Sequence, residues 1–278
     1  MLSYRSVSNL SDLLTGRQEH VDLDLAALEL ATIEFPALSI AEYRGLLDSY
    51  AVELSERLGP DTGGVHYIEL ANHYLFEELG FRGNAEDYYN PRNSCLNEVL
   101  ASRTGLPITL SIVYMEIARR LGKPVHGIGL PGHFICQYDD GGFAAFIDPF
   151  HAGGMLTREQ CFELAMRTSG VDFSSDASVL LPVTKRQILL RMLNNLRTVY
   201  LQRQSYRKAL QVLDLIIEAG PASADDYKQR AVVRLQLQQL RDAQDDFEHC
   251  LLLTPEASER AEVEKHLHSL KRWLAQMN

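Results

Sequence analysis

The stretch from residue 93 to residue 149 constrains this chain most. Within it, residues 107–121 (PITLSIVYMEIARRL) are apolar on most sides. Leu110, Val113, Ile117 and Leu121 form one stripe, and Ile108, Ile112 and Met115 cover a second face. A helix of that kind lies inside a domain. Pro107 suits its first turn, where the amide proton has no helical partner, and Gly122 closes it.

Three short β-prone runs follow, at 125–128, 134–138 and 143–147, with Asp139-Asp140-Gly141-Gly142 as a hairpin turn. If Tyr138 faces Phe143, the same ladder sets His133 opposite Asp148. Directly opposed residues have Cβ atoms about 4.5–5.5 Å apart. A histidine held beside a carboxylate is half of a catalytic triad.

The preceding sequence reads as helical. Residues 1–20 are polar and aperiodic, an irregular arm. A helix over 21–35 stops at Pro36. A second opens at Ser39, with Glu42 three residues on as a capping box; its stripe is Tyr43, Leu46, Leu47, Tyr50, Leu54 and Leu58, and Gly59-Pro60 ends it. A third covers 65–79 with Val65, Ile68, Ala71, Leu75 and Leu79 inward, then Gly80 as left-handed cap and Phe81 as its apolar contact. His66, Glu69 and His73 share that helix without HExxH spacing, so no metal is expected there. A loop over 82–92 leads to a short helix over 94–102. Another helix starts after Thr157, and from Lys185 the chain reads as helical to its end.

A net charge of −10 argues against nonspecific nucleic-acid binding and against an anionic membrane surface. No run approaches the roughly 18 apolar residues of a membrane span. Cys95, Cys136, Cys161 and Cys250 are far apart with no CxxC spacing, which predicts neither a disulfide framework nor structural zinc. The expectation is a reduced cytoplasmic protein without cofactor or metal.

In the last hundred residues Ala209, Leu213 and Pro221 recur as Ala243, Phe247 and Pro255, a spacing of 34. That period, with a small residue where helices approach and a proline closing the unit, resembles the tetratricopeptide repeat. Leu193 and Tyr200 fill further positions of the first unit; Tyr227 and Ala231 fill those of the second, with Arg234 in place of an aromatic. Residues 256–277 read as a capping helix with Glu259, Glu262, Glu264, Lys265, Lys271 and Arg272 outward. Such arrays present a surface to a protein or peptide partner.

The motifs NHYLFEELGFRGN, YYNPRNSCLNEVL, RTGLPITLSIVY, RRLGKPVHGIGLPGHF and FIDPF resemble the SirB family of transglutaminase-like proteins with C-terminal tetratricopeptide repeats. The resemblance covers about residues 20–277. It implies an α+β fold: a helical N-terminal part and a transglutaminase/papain-like core, with a buried helix against a small antiparallel sheet, in residues 1–182, then an all-α repeat region in 183–278. It also implies a regulatory role, an effect on expression of a transcriptional regulator.

Active members of the wider group carry GxC at the head of the core helix, then a histidine and an aspartate, which match His133 and Asp148. The nucleophile position falls near Pro107, in Gly105-Leu106-Pro107. Proline supplies neither a thiol nor an amide oxyanion donor. Thr109 and Ser111 are weak nucleophiles nearby, and Asn93 and Asn97 join Pro107, Thr109 and Ser111 as expected pocket lining. The first expectation is a noncatalytic protein with a degenerate site. The alternative is a cysteine hydrolase or acyltransferase with Cys95, at a helix N-terminus, as nucleophile, His133 as base and Asp148 as orienter.

Overall fold

The computed structural model describes residues 8–16, 21–59, 63–254 and 257–277. The fold is α+β, and contacts divide it into two compact units, the first taking described residues 8–13 and 21–192 and the second 14–16 and those from Leu193 on.

In the first unit, α1 (Ser8–Leu14) lies where the sequence reads as an irregular arm. Its N-terminal turn is held by another helix: the Glu29 carboxylate accepts the buried Leu10 N–H and the Asn9 side-chain amide, both at 2.7 Å. Glu29 lies on α2 (Leu23–Ala31), shorter than the expected 21–35. In α3 (Ile40–Arg57) the Ser39 side chain makes no cap hydrogen bond, so the expected capping box does not form. Pro60 lies outside the described residues.

The third helix splits into α4 (Gly64–Asn72) and a π-helical turn, His73–Glu78. Its inward face also differs from expectation, because Val65 is 46% exposed and Gly64 and Tyr67 are buried instead. Gly64 faces the sheet so closely that a Cβ would come to 2.5 Å from the Tyr138 ring. Gly80 has φ +74° and Phe81 is buried, as a left-handed cap with its apolar contact requires.

A two-residue parallel pair, β1 (Arg82–Gly83) with β2 (Thr104–Gly105), brackets α5 (Leu96–Ser102). Then α6 (Pro107–Arg120) runs through the interior, buried from Pro107 to Ala118. The antiparallel sheet is β3 (Val125–Ile128), β4 (Ile135–Asp139), β5 (Ala144–Asp148) and β6 (Gly154–Leu156), in that order. The strand β6 carries no alternation signal and was not expected. One sheet face meets α6 through Cys136, whose thiol donates to the Ser111 carbonyl. The other packs Ile135 and Phe146 with Cys161 and Leu164 of α7 (Arg158–Ser169). A Thr157/Gln160 capping box starts α7.

The hairpin register departs from expectation by two residues: Asp139 pairs with Ala144, and Cys136 with Ile147. The four-residue loop has moved one step along, because Asp140 Oδ1 accepts the Gly142 and Phe143 amides at 2.9 and 2.8 Å. A two-residue slip keeps every side chain on its face. Consequently Ile135, not His133, lies level with Asp148.

Ions tie α2 and α3 to α6. Arg120 reaches Asp24 of α2 at 2.6 Å, Asp48 of α3 at 2.6 Å and Glu116 on its own helix at 2.9 Å. Arg44 adds a 3.1 Å contact to Asp24, and Arg119 a 2.9 Å contact to Glu116. Burial acts to raise the Asp24 carboxyl, but hydrogen bonds and charge from Arg120 and Arg44 outweigh it and hold it below 3.8. Burial dominates at Glu116 and pushes it up.

The second unit holds the remainder of α8 (Lys185–Gln202) with α9 (Tyr206–Ala219), α10 (Ala224–Gln236), α11 (Leu240–Leu253) and α12 (Ala257–Met277). The repeated positions Ala209, Leu213, Ala243 and Phe247 are all fully buried. Pro255 lies outside the described residues. Arg234 is explained by its partner: it and Arg230 both bond Asp246, at 2.8 and 2.7 Å respectively, inside the α10–α11 pair. In α12, Val263, Leu267 and Leu270 face inward. Glu262, Glu264, Lys265, Lys271 and Arg272 face out; the Glu259 side chain is outside the described residues. Among the described residues no helix is long and apolar enough to cross a membrane.

The ion network yields a contrast. Asp24→Ala removes the buried carboxylate partner of the partly buried Arg120, which keeps Asp48 and Glu116, and should cost about 2–4 kcal/mol at neutral pH. Because the folded carboxyl titrates below its ordinary 3.8, that contribution is present above 3.8 and is lost as pH falls through the depressed folded value. Glu116→Gln has the opposite sign of linkage and should cost less than about 1 kcal/mol, since burial already disfavours its charge. Urea denaturation of both variants, followed by circular dichroism across pH, measures the difference.

Candidate functional site

The carboxylate of Asp148 is the centre of the polar site. It ends β5, is 2% exposed, and acts as cap of the following 3₁₀ turn, Pro149–His151. Its Oδ1 accepts the Phe150 amide at 3.0 Å. Its Oδ2 accepts two imidazoles, His133 Nε2 at 2.9 Å and His151 Nδ1 at 2.7 Å. Burial acts to raise this carboxyl, but the hydrogen bonds and charge of His133 and His151 outweigh it and hold it below the usual carboxylate range.

His133 lies just before β4 in a turn whose amide bonds the Leu130 carbonyl at 3.1 Å. Arg191 fixes that turn, donating to the carbonyls of Leu130 at 2.7 Å and His133 at 2.6 Å. The pairing of His133 with Asp148 thus exists, although the hairpin register expected to create it does not. In the observed register His133 is the diagonal neighbour of Asp148, and a long side chain spans that separation. Phe150 braces both rings edge-on, with centroids 5.9 Å from His133 and 5.2 Å from His151. Gly83 makes room for Phe150, since a Cβ there would come to 2.6 Å from its ring.

His151 was missed by sequence reasoning. The available signal was its spacing, three residues after Asp148, which a turn capped by an aspartate brings back onto that carboxylate.

The nucleophile region is built differently. Pro107 takes the first turn of α6 and is buried. Thr109 is committed locally: its hydroxyl donates to the Asn93 carbonyl at 2.9 Å and accepts the Leu106 amide at 3.0 Å. Gly105 is tight here, because a Cβ would come to 2.8 Å from Thr109 Oγ1. Asn93 donates to the Asp87 carbonyl at 2.7 Å and accepts from Asn84 at 3.0 Å. Asn97 and Ser111 are buried, each with a side-chain oxygen lacking a protein hydrogen-bond partner.

Cys95 is the N-cap residue of α5, 1% exposed, with its thiol directed at the Pro91 carbonyl at 3.5 Å. The His133 ring is bonded through Nε2 to Asp148. Burial pushes the thiols of Cys136 and Cys161 up to about 12, so neither forms a thiolate near neutral pH. No disulfide links the four cysteines. A separate cleft of about 400 Å³, lined among others by Glu116, Lys123, His126 and Lys185, includes none of the expected site residues.

The arrangement can orient an imidazole, hold a buried carboxylate in its charged form, and offer three converging donor atoms.

Comparison with known proteins agrees with this architecture. Residues 41–194 match the transglutaminase-like superfamily, and residues 196–268 match a tetratricopeptide-repeat family. A UPF0162 protein of Xylella fastidiosa is 34% identical, with 94% of each chain covered. A UPF0162 protein of Pseudomonas aeruginosa is 31% identical over 91% of this chain and 92% of its own. The human F-box only protein 21 is 32% identical over 55% of this chain, a match spanning 25% of that protein. With more than half its length matched by the first of these families and near-complete coverage of the Xylella protein, the chain belongs to the transglutaminase-like superfamily, among the UPF0162 proteins.

Proposed function

We propose that this chain is a noncatalytic interaction protein whose transglutaminase-like core has lost its nucleophile and whose repeats bind a protein or peptide partner. The observation carrying the proposal is Pro107 in the first turn of α6, where active relatives of the fold would place a cysteine. Cys95 fits this reading: it is 1% exposed, and its thiol is directed at the Pro91 carbonyl at 3.5 Å, whereas a working nucleophile needs access to substrate. In this reading His133 and Asp148 are kept as a structural pair, in a reduced cytoplasmic setting. The resemblance to the SirB family adds the outcome, an indirect effect on gene expression.

The repeats favour the interaction half of the proposal. Leu252, 82% exposed, and Val232, 41% exposed, put large apolar side chains in water on the second unit. Scattered apolar residues are ordinary at a surface, so the partner must be tested directly.

Two outcomes are expected. Cys95 in the native protein should resist iodoacetamide at neutral pH and react only after denaturant is added, as read by mass spectrometry. Rapid stoichiometric labelling of Cys95 in the folded state would sink the noncatalytic reading. For the repeats, Val232→Glu with Leu252→Glu should weaken capture of the cellular partner by about tenfold or more, the scale of losing an interface anchor. Unchanged capture, with cross-links confined to Lys123 and Lys185 of the first unit, would reject the repeats as the binding surface.

A further inference from the structure

We propose that His133, Asp148 and His151 form a binding site for one divalent transition-metal ion of the zinc class. The inference needs no nucleophile and stands independently of the noncatalytic reading.

The geometry carries it. His133 Nε2 and His151 Nδ1 both point at the same oxygen, Asp148 Oδ2, from 2.9 and 2.7 Å. The three donor atoms lie within 4.8 Å of one another. An ion bound at about 2.0–2.2 Å by nitrogen and oxygen in tetrahedral geometry separates its ligands by about 3.3–3.5 Å. The two nitrogen–oxygen pairs, at 2.9 and 2.7 Å, therefore open by about half an ångström or slightly more around an ion, and the two nitrogens, within 4.8 Å of each other, adjust through rotation of the exposed His151 ring.

The chemistry agrees. Two imidazoles and one carboxylate suit zinc, iron, copper or nickel, whereas magnesium and calcium prefer all-oxygen sets. Binding replaces two N–H···O bonds. As neutral imidazoles bind, the protons now on His133 Nε2 and His151 Nδ1 move to the opposite ring nitrogens, and the freed lone pairs bind the ion. Three protein ligands leave at least one coordination position for water, the pattern of open rather than structural sites.

The surroundings hold the ligands in place. The Phe150 amide fixes the second carboxylate oxygen at 3.0 Å, and Phe150 braces both rings. Outer partners of that kind orient ligands and raise affinity. Arg191 is the nearby cation, and it is spent on the Leu130 and His133 carbonyls. Access comes from one side: the His133 and Asp148 side chains are buried, while that of His151 is 62% exposed.

The test is calorimetric titration of the chelator-treated full chain with Zn²⁺, paired with visible absorption on adding Co²⁺. The expected result is saturable one-to-one binding, with Co²⁺ bands of a low-coordinate nitrogen–oxygen site. His151→Ala, a change at an exposed side chain, should weaken Zn²⁺ by at least about tenfold and abolish those bands, the scale of losing a site component. His73→Ala is the control, because His73 lies near Glu77 and Glu78 at the surface; it should leave binding unchanged. Absent saturation, equal affinity in His151→Ala, or loss of affinity in His73→Ala would each overturn the assignment. Preferential binding of Mg²⁺ would overturn the metal class.

Discussion

Arg120 is the pin of the first unit. It sits at the last turn of a helix that is otherwise buried almost throughout, and it meets carboxylates from α2, α3 and α6 at once. Burying Asp24 and Glu116 completely would be prohibitive without such a cation. With it, the direction and rotation of α6 are set against two neighbouring helices. Everything downstream inherits that placement: the sheet packs on α6 through Cys136, and the turn carrying Asp148 follows from the sheet.

That dependence explains what was legible in the sequence. The apolar surround of residues 107–121 announced α6, since periodicity is a property of neighbouring residues. The hairpin strands were found within one residue for the same reason. The ion network was not visible, because Asp24 and Arg120 lie 96 residues apart and nothing local says that two charged residues will meet. The register failed on a finer point. Symmetric strands around Asp-Asp-Gly-Gly favour pairing Tyr138 with Phe143, but the Asp140 carboxylate prefers two backbone amides, and it moved the loop by one position.

The missing elements follow the same logic. The helix α1 shows no clear stripe on its own, and its N-terminal turn is held by Glu29 from another helix, a tertiary contact. The π-helical turn after α4 shifts the buried face, so Tyr74 goes inside beside the expected Leu75, while Leu79 stays only partly buried. In the repeats, by contrast, a separation of 34 survived intact because each unit packs by the same local rules. Even the departure at Arg234 resolves into a paired charge, with Asp246 buried between two arginines.

The candidate site is held together by the needs of one buried carboxylate. A carboxylate buried as deeply as Asp148 is costly unless its lone pairs are used. Three donors, two imidazoles and the Phe150 amide, use them and favour the charged form. Removing either histidine would leave part of that cost uncovered, so folding by itself already favours keeping the pair. Position 107 is under no such constraint. The first turn of a helix tolerates proline better than any other helical site, because no amide bond is lost there. Proline at the head of α6 therefore costs the fold little, whereas loss of a partner of the Asp148 carboxylate would not.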